Sequence, residues 1–315
     1  MESNNLKNLI LEFVKVTEEA AIASYNFIGK GNEKEADAAA VNSMRQALNV
    51  LPIQGSIVIG EGERDKAPML YIGEKLGKGG LCEVDIAVDP LEGTTLCANA
   101  ADGAMSVMAV APKGNLLNAP DIYMEKIAIG SGYAEGIIDL DNNIKTNLSN
   151  LAKAKKCNIS DLSVTILKRD RHNELISKAR EAGAKVKLIT DGDIAAVIST
   201  VLNKHTDMYI GIGGAPEGIL AAAALRTLEG QMMGRLIFSN DDERQRASKM
   251  GIIDFNHKYT TKELAKDEVI FVATGVTSGQ IIQGVDKSNN IIKTYSVITE
   301  SSTKSVKYIN SHYKI

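Results

Sequence analysis

Cysteine, histidine and tryptophan are what this 315-residue sequence has least of, with three, four and no copies. Cys82, Cys97 and Cys157 are odd in number and fit no metal spacing, so buried or idle thiols are expected rather than a disulfide framework or a thiolate metal centre. No run reaches the ~20 apolar residues of a membrane span, and Met1-Glu2-Ser3-Asn4-Asn5 lacks the basic and apolar regions of a signal peptide. An excess of one charge is also missing. The formal net charge is −3 and the Lys and Arg residues are scattered, which gives no support for a nucleic-acid surface. Neither a repeat nor a low-complexity segment is visible. What remains is an ordinary soluble composition, 44% hydrophobic and 24% charged, with the cytoplasm as the expected location. The length suits one large α/β domain or two intimate ones. A polar, weakly periodic stretch over residues 141 to 160 suggests a junction, which divides the chain into regions 1–150 and 151–315.

The most informative stretch runs from Val84 to Thr95. Val84, Ile86 and Val88 alternate with Asp85, Ala87 and Asp89, as a strand with one polar edge requires. Pro90 is expected to end that strand, leaving Asp89 at its carboxyl end, where ligands of open α/β sheets gather. Glu92 follows, Gly93 permits a tight turn, and Thr94 or Thr95 can cap a helix whose free N–H groups attract phosphate. Carboxylates and a phosphate repel each other unless a cation lies between them. Oxygen donors with no His or Cys nearby point to Mg²⁺ or Mn²⁺ rather than zinc. The plainer alternative is a strand and an acidic turn.

Upstream, a helix is expected from about Lys34 to Asn49 with Val41, Met44 and Leu48 facing inward, which puts Asp37 on that same face. Asp37 is either a first-turn carboxylate complementing the helix dipole or an inward functional group. Glu61 lies between Gly60 and Gly62 at the end of a short strand, Ser56 to Ile59, and a helix is expected from Ala67 to the glycines at 77, 79 and 80. Tyr123 either packs in the core or offers its hydroxyl to a substrate.

The second half alternates strand and helix. Lys168-Arg169-Asp170-Arg171-His172 follows a strand over Ser163 to Leu167 and is either a phosphate clamp or a solvated charge cluster. Asp191-Gly192-Asp193 sits where a second strand, Lys185 to Ile189, hands over to a helix. Gly211-Ile212-Gly213-Gly214-Ala215-Pro216-Glu217-Gly218 lacks the spacing of a dinucleotide fingerprint, and its glycines let Glu217 reach a neighbouring strand end. Strands are expected from Ile291 to Ile298 and Ser305 to Ser311, with 286–290 as their hairpin turn. Five carboxylates thus stand out: Asp37, Glu61, Asp89, Glu92 and Glu217. Together they would repel one another, a cost that two divalent cations offset, and such a site suits phosphate-ester hydrolysis.

Residues 60–74 (Gly60-Glu61-Gly62-Glu63-Arg64-Asp65-Lys66-Ala67-Pro68-Met69 onward), Asp89-Pro90-Leu91-Glu92-Gly93-Thr94 and Gly211 to Gly218 closely resemble class II fructose-1,6-bisphosphatases. The resemblance covers nearly the whole chain, including Glu35-Ala36-Asp37 and Ala273-Thr274-Gly275-Val276-Thr277. Asp-Pro-x-Glu-Gly-Thr alone indicates the wider lithium-sensitive sugar and inositol phosphatase superfamily. The resemblance implies a layered α/β/α/β/α sugar-phosphatase fold and hydrolysis of the 1-phosphate of D-fructose 1,6-bisphosphate, with Mn²⁺ or Mg²⁺, two per active site. It implies Asp37 and Glu61 as ligands of one metal and Asp89, Glu92 and Glu217 of the second. Thr94 would orient the attacking water and relay its proton, with Asp65 needed for activity. Glu92, Gly93, Thr94, Tyr123, Arg169, Arg171, Asp191 and Asp193 match substrate-contacting positions, the arginines holding the other phosphate and the aspartates the sugar hydroxyls. A homodimer or homotetramer is implied. A dual fructose/sedoheptulose-bisphosphatase is the nearest alternative; an inositol phosphatase or a non-catalytic sugar-phosphate sensor is further away. Two departures stand out: Asp170 where the family usually has Pro, and Glu33 where some members carry Lys.

Overall fold

A computed structural model of the chain describes residues 6–62, 69–80, 82–203 and 205–314. It forms two compact units, one of residues up to 118 together with 265 onward, the other of residues 119–264. The expected boundary at 150 is not the one the contacts draw. Residue 150 lies inside a helix of the second unit, and the C-terminal strands return to the first unit's sheet.

Strands and helices are numbered along the chain. In the first unit, helices α1 (Ile10–Tyr25) and α2 (Glu33–Asn49) cover one face of an eight-stranded sheet. Its strands are β1 (Gln54–Ile59), β2 (Lys75–Leu76), β3 (Glu83–Glu92), β4 (Met105–Pro112), β11 (Ile270–Gly275), β12 (Asp286–Ser288), β13 (Ile291–Glu300) and β14 (Ser305–Lys314). The order is β12-β13-β11-β4-β3-β1-β2, with β14 on the outer side of β13. β1 and β3 run parallel; the other pairs are antiparallel. Phe13, Val16, Val41, Met44 and Leu48 from the helices meet Ile57, Val84, Ile86, Val88, Met108 and Val272 from the sheet. The fully buried Ala20, Ala21, Ala36 and Ala40 let the two helices approach closely. The alternation of β3 therefore does what its sequence predicts.

Three local expectations change. Residues 69–74 form turns rather than a helix, because Leu70 and Gly73 adopt left-handed backbone and the Glu74 carboxylate takes the Leu70 N–H at 2.5 Å and Arg45 Nε at 2.6 Å. The start of that expected helix, 67–68, lies outside the described residues, and its end, Lys75–Leu76, is strand β2. The turn at 289–290, with both Asn residues at positive φ, joins β12 to β13, whereas β13 and β14 are joined through 301–304. The expected junction over 141–160 contains helix α4 (Ile144–Lys155), described with the second unit.

In the second unit, β5 (Tyr123–Ile129), β6 (Ser163–Leu167), β7 (Lys185–Ile189), β8 (Met208–Gly214), β9 (Gln231–Ile237) and β10 (Tyr259–Thr260) form a sheet ordered β10-β9-β5-β8-β6-β7. β7, β6 and β8 are parallel, and β5 and β9 are antiparallel to their neighbours. One face carries α4 and α5 (Asn173–Glu181), whose Ile144, Leu148, Leu151, Ile176 and Ala179 pack on Ile127, Ile129, Val164 and Ile166. The other face of β5, bearing Met124 and Lys126, receives α7 (Ala215–Leu228) at Gly218. Helix α6 (Asp193–Ile198) packs with α7, and α8 (Asp241–Lys249) and α9 (Thr261–Leu264) complete the unit. The chain is thus mixed α/β, with helix on sheet in the first unit and helices on both faces of the sheet in the second. Among the described residues, no helix is long and apolar enough to cross a membrane. Cys82 and Cys97 are buried, Cys157 is half-buried, and all three are free thiols.

Candidate active site

In the first unit Glu61, Asp89 and Glu92 stand at strand ends and Asp37 on a helix. β3 does not stop at Pro90 but continues to Glu92 through a bulge. Asp89 pairs with Val107 and Glu92 with Met105, so one extra residue is held on β3. A bulge is where a residue without an N–H is tolerated. Asp89 is half-buried and its Oδ1 accepts the Leu91 N–H at 3.1 Å, while Glu92 is buried. Gly93 adopts left-handed backbone (φ +83°) and is itself the N-cap of the short helix α3 (Thr94–Ala98). The expectation that a threonine caps this helix is corrected: Thr94 is its first residue and makes no side-chain cap. Glu61 follows β1, and its N–H bonds Leu70 O at 3.1 Å. Gly60 is obligatory there, since a Cβ would fall 2.0 Å from Leu70 O. Asp37 lies half-buried on α2, where Asn32 provides the cap by accepting the Glu35 N–H. Burial raises the Asp37 carboxyl above its ordinary value. Asp65 lies outside the described residues.

The second unit brings together more of the expected residues. Arg171 donates from Nε and Nη2 to Ile212 O at 3.2 and 2.8 Å, and its guanidinium lies 4.9 Å from the centroid of the Tyr123 ring. Tyr123 is 50% exposed, so the half of its alternative that placed it in the core is excluded. Arg169 is exposed, bonded only to the Lys168 carbonyl among the described residues. His172 supports this clamp from below. Its Nε2 accepts the Ile212 N–H at 2.8 Å, which fixes the proton on Nδ1, donated to Leu167 O at 2.7 Å. Burial holds its pKa below the ordinary value.

Asp191 accepts the Gly192 N–H, and Gly192 turns left-handed to start α6 at Asp193. Asp193 Oδ2 receives Lys126 Nζ at 2.5 Å and the Tyr209 hydroxyl at 3.2 Å. Lys126 also donates to Gly214 O at 2.9 Å and is fully buried. Glu217 occupies the first turn of α7 and is half-buried. Burial first, then the negative charge of Asp193, pushes its carboxyl up to about 7, while Lys126 acts in the opposite direction.

These contacts explain the glycine-rich turn. A Cβ at Gly213 would lie 2.5 Å from Asp193 Oδ2 and 2.9 Å from Lys126 Nζ; one at Gly214 would lie 1.9 Å from Glu217 Oε2; one at Gly218 would lie 3.2 Å from Lys126 Cδ. The glycines admit three charged side chains. Lys126 was missed in the sequence, although a signal existed: on β5 it alternates with apolar Ile127 and shares a face with Met124 and Ala128, an unusual place for an ammonium.

The donor chemistry fits a hard cation. Asp37, Glu61, Asp89, Glu92 and Glu217 offer oxygen alone, and burial disfavours the charged form of two of them until positive charge arrives. Among the described residues, no three His, Cys, Asp or Glu side chains already form a metal-binding group.

A sequence profile described as bacterial fructose-1,6-bisphosphatase, glpX-encoded, matches residues 7–313. Fructose-1,6-bisphosphatase 1 class 2 of Escherichia coli (strain K12) is 44% identical over 323 residues, covering 98% of this chain and 96% of that protein. D-fructose 1,6-bisphosphatase class 2/sedoheptulose 1,7-bisphosphatase of Synechococcus sp. (strain JA-3-3Ab) is 42% identical over 327 residues, covering 96% and 94%. Among solved structures, an inositol monophosphatase from Anabaena (Nostoc) sp. PCC 7120 aligns with a TM-score of 0.39 at 14% identity, over 72% of this chain and 83% of that one. With the profile spanning nearly every residue and relatives matched end to end, this chain belongs to the glpX-encoded bacterial fructose-1,6-bisphosphatase family.

Proposed function

We propose that this chain hydrolyses the 1-phosphate of D-fructose 1,6-bisphosphate to D-fructose 6-phosphate and phosphate, a gluconeogenic step, in the cytoplasm. The observation that carries the reading is the 44% identity to the Escherichia coli class 2 enzyme across nearly the full length of both chains. The cofactor is Mn²⁺ or Mg²⁺, two per site, with Asp37 and Glu61 assigned to one ion and Asp89, Glu92 and Glu217 to the other. When bound, such ions supply the positive charge that lets a phosphate approach carboxylates, and Lewis-acid activation of water.

The chain's own groups do the rest. The Thr94 hydroxyl orients the attacking water and relays its proton, with Asp65 in support. Glu92 and the backbone of Gly93 and Thr94 contact the reacting phosphate end. Arg169 and Arg171 hold the second phosphate with charge-assisted hydrogen bonds. The Tyr123 ring, 4.9 Å from the Arg171 guanidinium, holds that cation by a cation–π contact. Asp191 and Asp193 accept from sugar hydroxyls. We assign the assembly as a homodimer or homotetramer, and the partner as a small sugar bisphosphate rather than nucleic acid or membrane.

The name of the Synechococcus relative favours one second reading, action on sedoheptulose 1,7-bisphosphate as well. Kinetics on both esters in parallel separate the two. A kcat/KM for the seven-carbon ester within tenfold of that for fructose 1,6-bisphosphate makes the enzyme dual; a larger gap makes it a fructose bisphosphatase alone. No turnover of either, with tight sugar-phosphate binding, would replace both readings by that of a sensor.

A further inference from the structure

Lys126 is a buried cation for which the reading above has no use. Its ammonium is shut off from solvent on the inner face of β5 and donates to Asp193 Oδ2 and to the Gly214 carbonyl. The Tyr209 hydroxyl points at the same carboxylate oxygen. Asp193 Oδ1, by contrast, accepts from no described residue, and the side chain is 7% exposed. A carboxylate that could rotate would present either oxygen to a ligand, or turn toward a nearby cation. This one has one oxygen fixed by two donors. Gly213 has no room for a Cβ because Asp193 Oδ2 and Lys126 Nζ take the space.

We propose that Lys126 is a positioning residue for sugar recognition: by taking up Oδ2 of Asp193 against the Gly214 carbonyl, it leaves Oδ1 as a single, fixed acceptor for a sugar hydroxyl. The proposal rests on the reading of Asp193 as a sugar contact. Buried charge is spent here on orientation. An apolar residue at 126 would fill the volume, yet it would leave the buried Asp193 without its cationic partner and held by the Tyr209 hydroxyl alone. The consequence falls on the hydroxyl-bearing part of the substrate, because the hydrogen bonds of Lys126 go to Asp193 and the Gly214 carbonyl; its charge also opposes the rise of the Glu217 carboxyl, so rates are compared at saturating Mn²⁺.

The test compares wild type, Lys126→Met, Asp193→Asn and the double variant on two phosphate monoesters. One is fructose 1,6-bisphosphate; the other, p-nitrophenyl phosphate, has no hydroxyl for Asp193 to read. Lys126→Met should raise KM for the sugar ester at least tenfold with kcat within threefold, and should leave kcat/KM for the aryl ester within twofold of wild type. The double variant should match Asp193→Asn in KM within twofold, since the lysine acts through that carboxylate. Calorimetric titration with fructose 6-phosphate should show the same loss of affinity without turnover.

Equal losses on both esters would mean that Lys126 serves the fold or the reacting centre, and would overturn the proposal; so would an unchanged KM, or a double variant whose losses multiply. Should Lys126→Met not fold, the double variant, which carries neither buried charge, supports the proposal by matching Asp193→Asn and overturns it by differing. A wild type that hydrolyses the aryl ester but not the sugar bisphosphate would sink the functional reading; the fructose 6-phosphate titration would still decide the role of Lys126.

Discussion

Gly214 has room for a hydrogen and nothing larger, and what occupies the space decides what a methyl group there would do. A Cβ would fall 1.9 Å from Glu217 Oε2, the far end of a side chain that can swing away. At Gly60 the obstacle is the Leu70 carbonyl at 2.0 Å, a backbone atom held by the bond from Glu61 N. The two substitutions therefore separate site from fold. Gly214→Ala should displace the Glu217 carboxylate, weakening Mn²⁺ half-saturation by tenfold or more at a small cost in Tm. Gly60→Ala must move backbone and should cost about 1–3 kcal/mol of stability, in the range of an overpacked interior. Denaturant melts and Mn²⁺ titrations of both variants check this; the opposite assignment of effects would contradict the role given to Glu217.

At the scale of elements, His172 ties the turn after β6 to β8. The bond to Ile212 N–H needs a neutral ring, and burial disfavours the charged one. The unfolded chain takes up a proton at this residue once pH falls through its ordinary value of 6.5, before the folded chain does. Its contribution to stability is therefore fully present above that pH and is lost as pH falls below it toward the depressed folded value. Unfolding free energies measured from pH 7.5 down to 5 should decline less steeply in His172→Gln than in wild type. Helix α4 gives a second case. Asn143 caps it by accepting the Thr146 N–H at 2.9 Å, so Asn143→Ala should cost about 1 kcal/mol in a urea melt. That helix shows where sequence reading fell short. Ile144, Leu148, Leu151 and Ala152 do recur at helical spacing, but the Asn and Lys residues between them gave the stretch the polarity of a linker. The strands at 163–167 and 185–189 were legible to the residue: the first is a short apolar run buried after its first residue, and the second, at the sheet edge, alternates Lys185 and Lys187 with Val186 and Leu188. Of the candidate site, Glu61, Asp89, Glu92, Glu217 and the two arginines lie at the element ends where the sequence puts them. The apolar strand face around Lys126 marked it as unusual, but its partner Asp193 lies 67 residues on, so the pairing itself was not legible.

For the molecule as a whole, chain order and unit order differ. Every strand of the second unit's sheet lies within residues 119–264, whereas the first unit's sheet needs β11 from beyond residue 265 to pair with β4, and β13 and β14 to extend the sheet past β11. A fragment of residues 119–264 should retain a cooperative thermal transition, and a fragment of residues 1–118, in which β4 keeps β3 but lacks β11 on its other side, should not. Circular dichroism melts of the two fragments test this; a cooperative 1–118 fragment would show that the returning strands are dispensable. The activity itself is most directly tested by phosphate release from fructose 1,6-bisphosphate by the purified full chain, with fructose 6-phosphate identified as the product. Turnover with Mn²⁺ or Mg²⁺ that EDTA abolishes and either ion restores is the predicted result. Release that persists undiminished in EDTA, or no release with either ion, would contradict it.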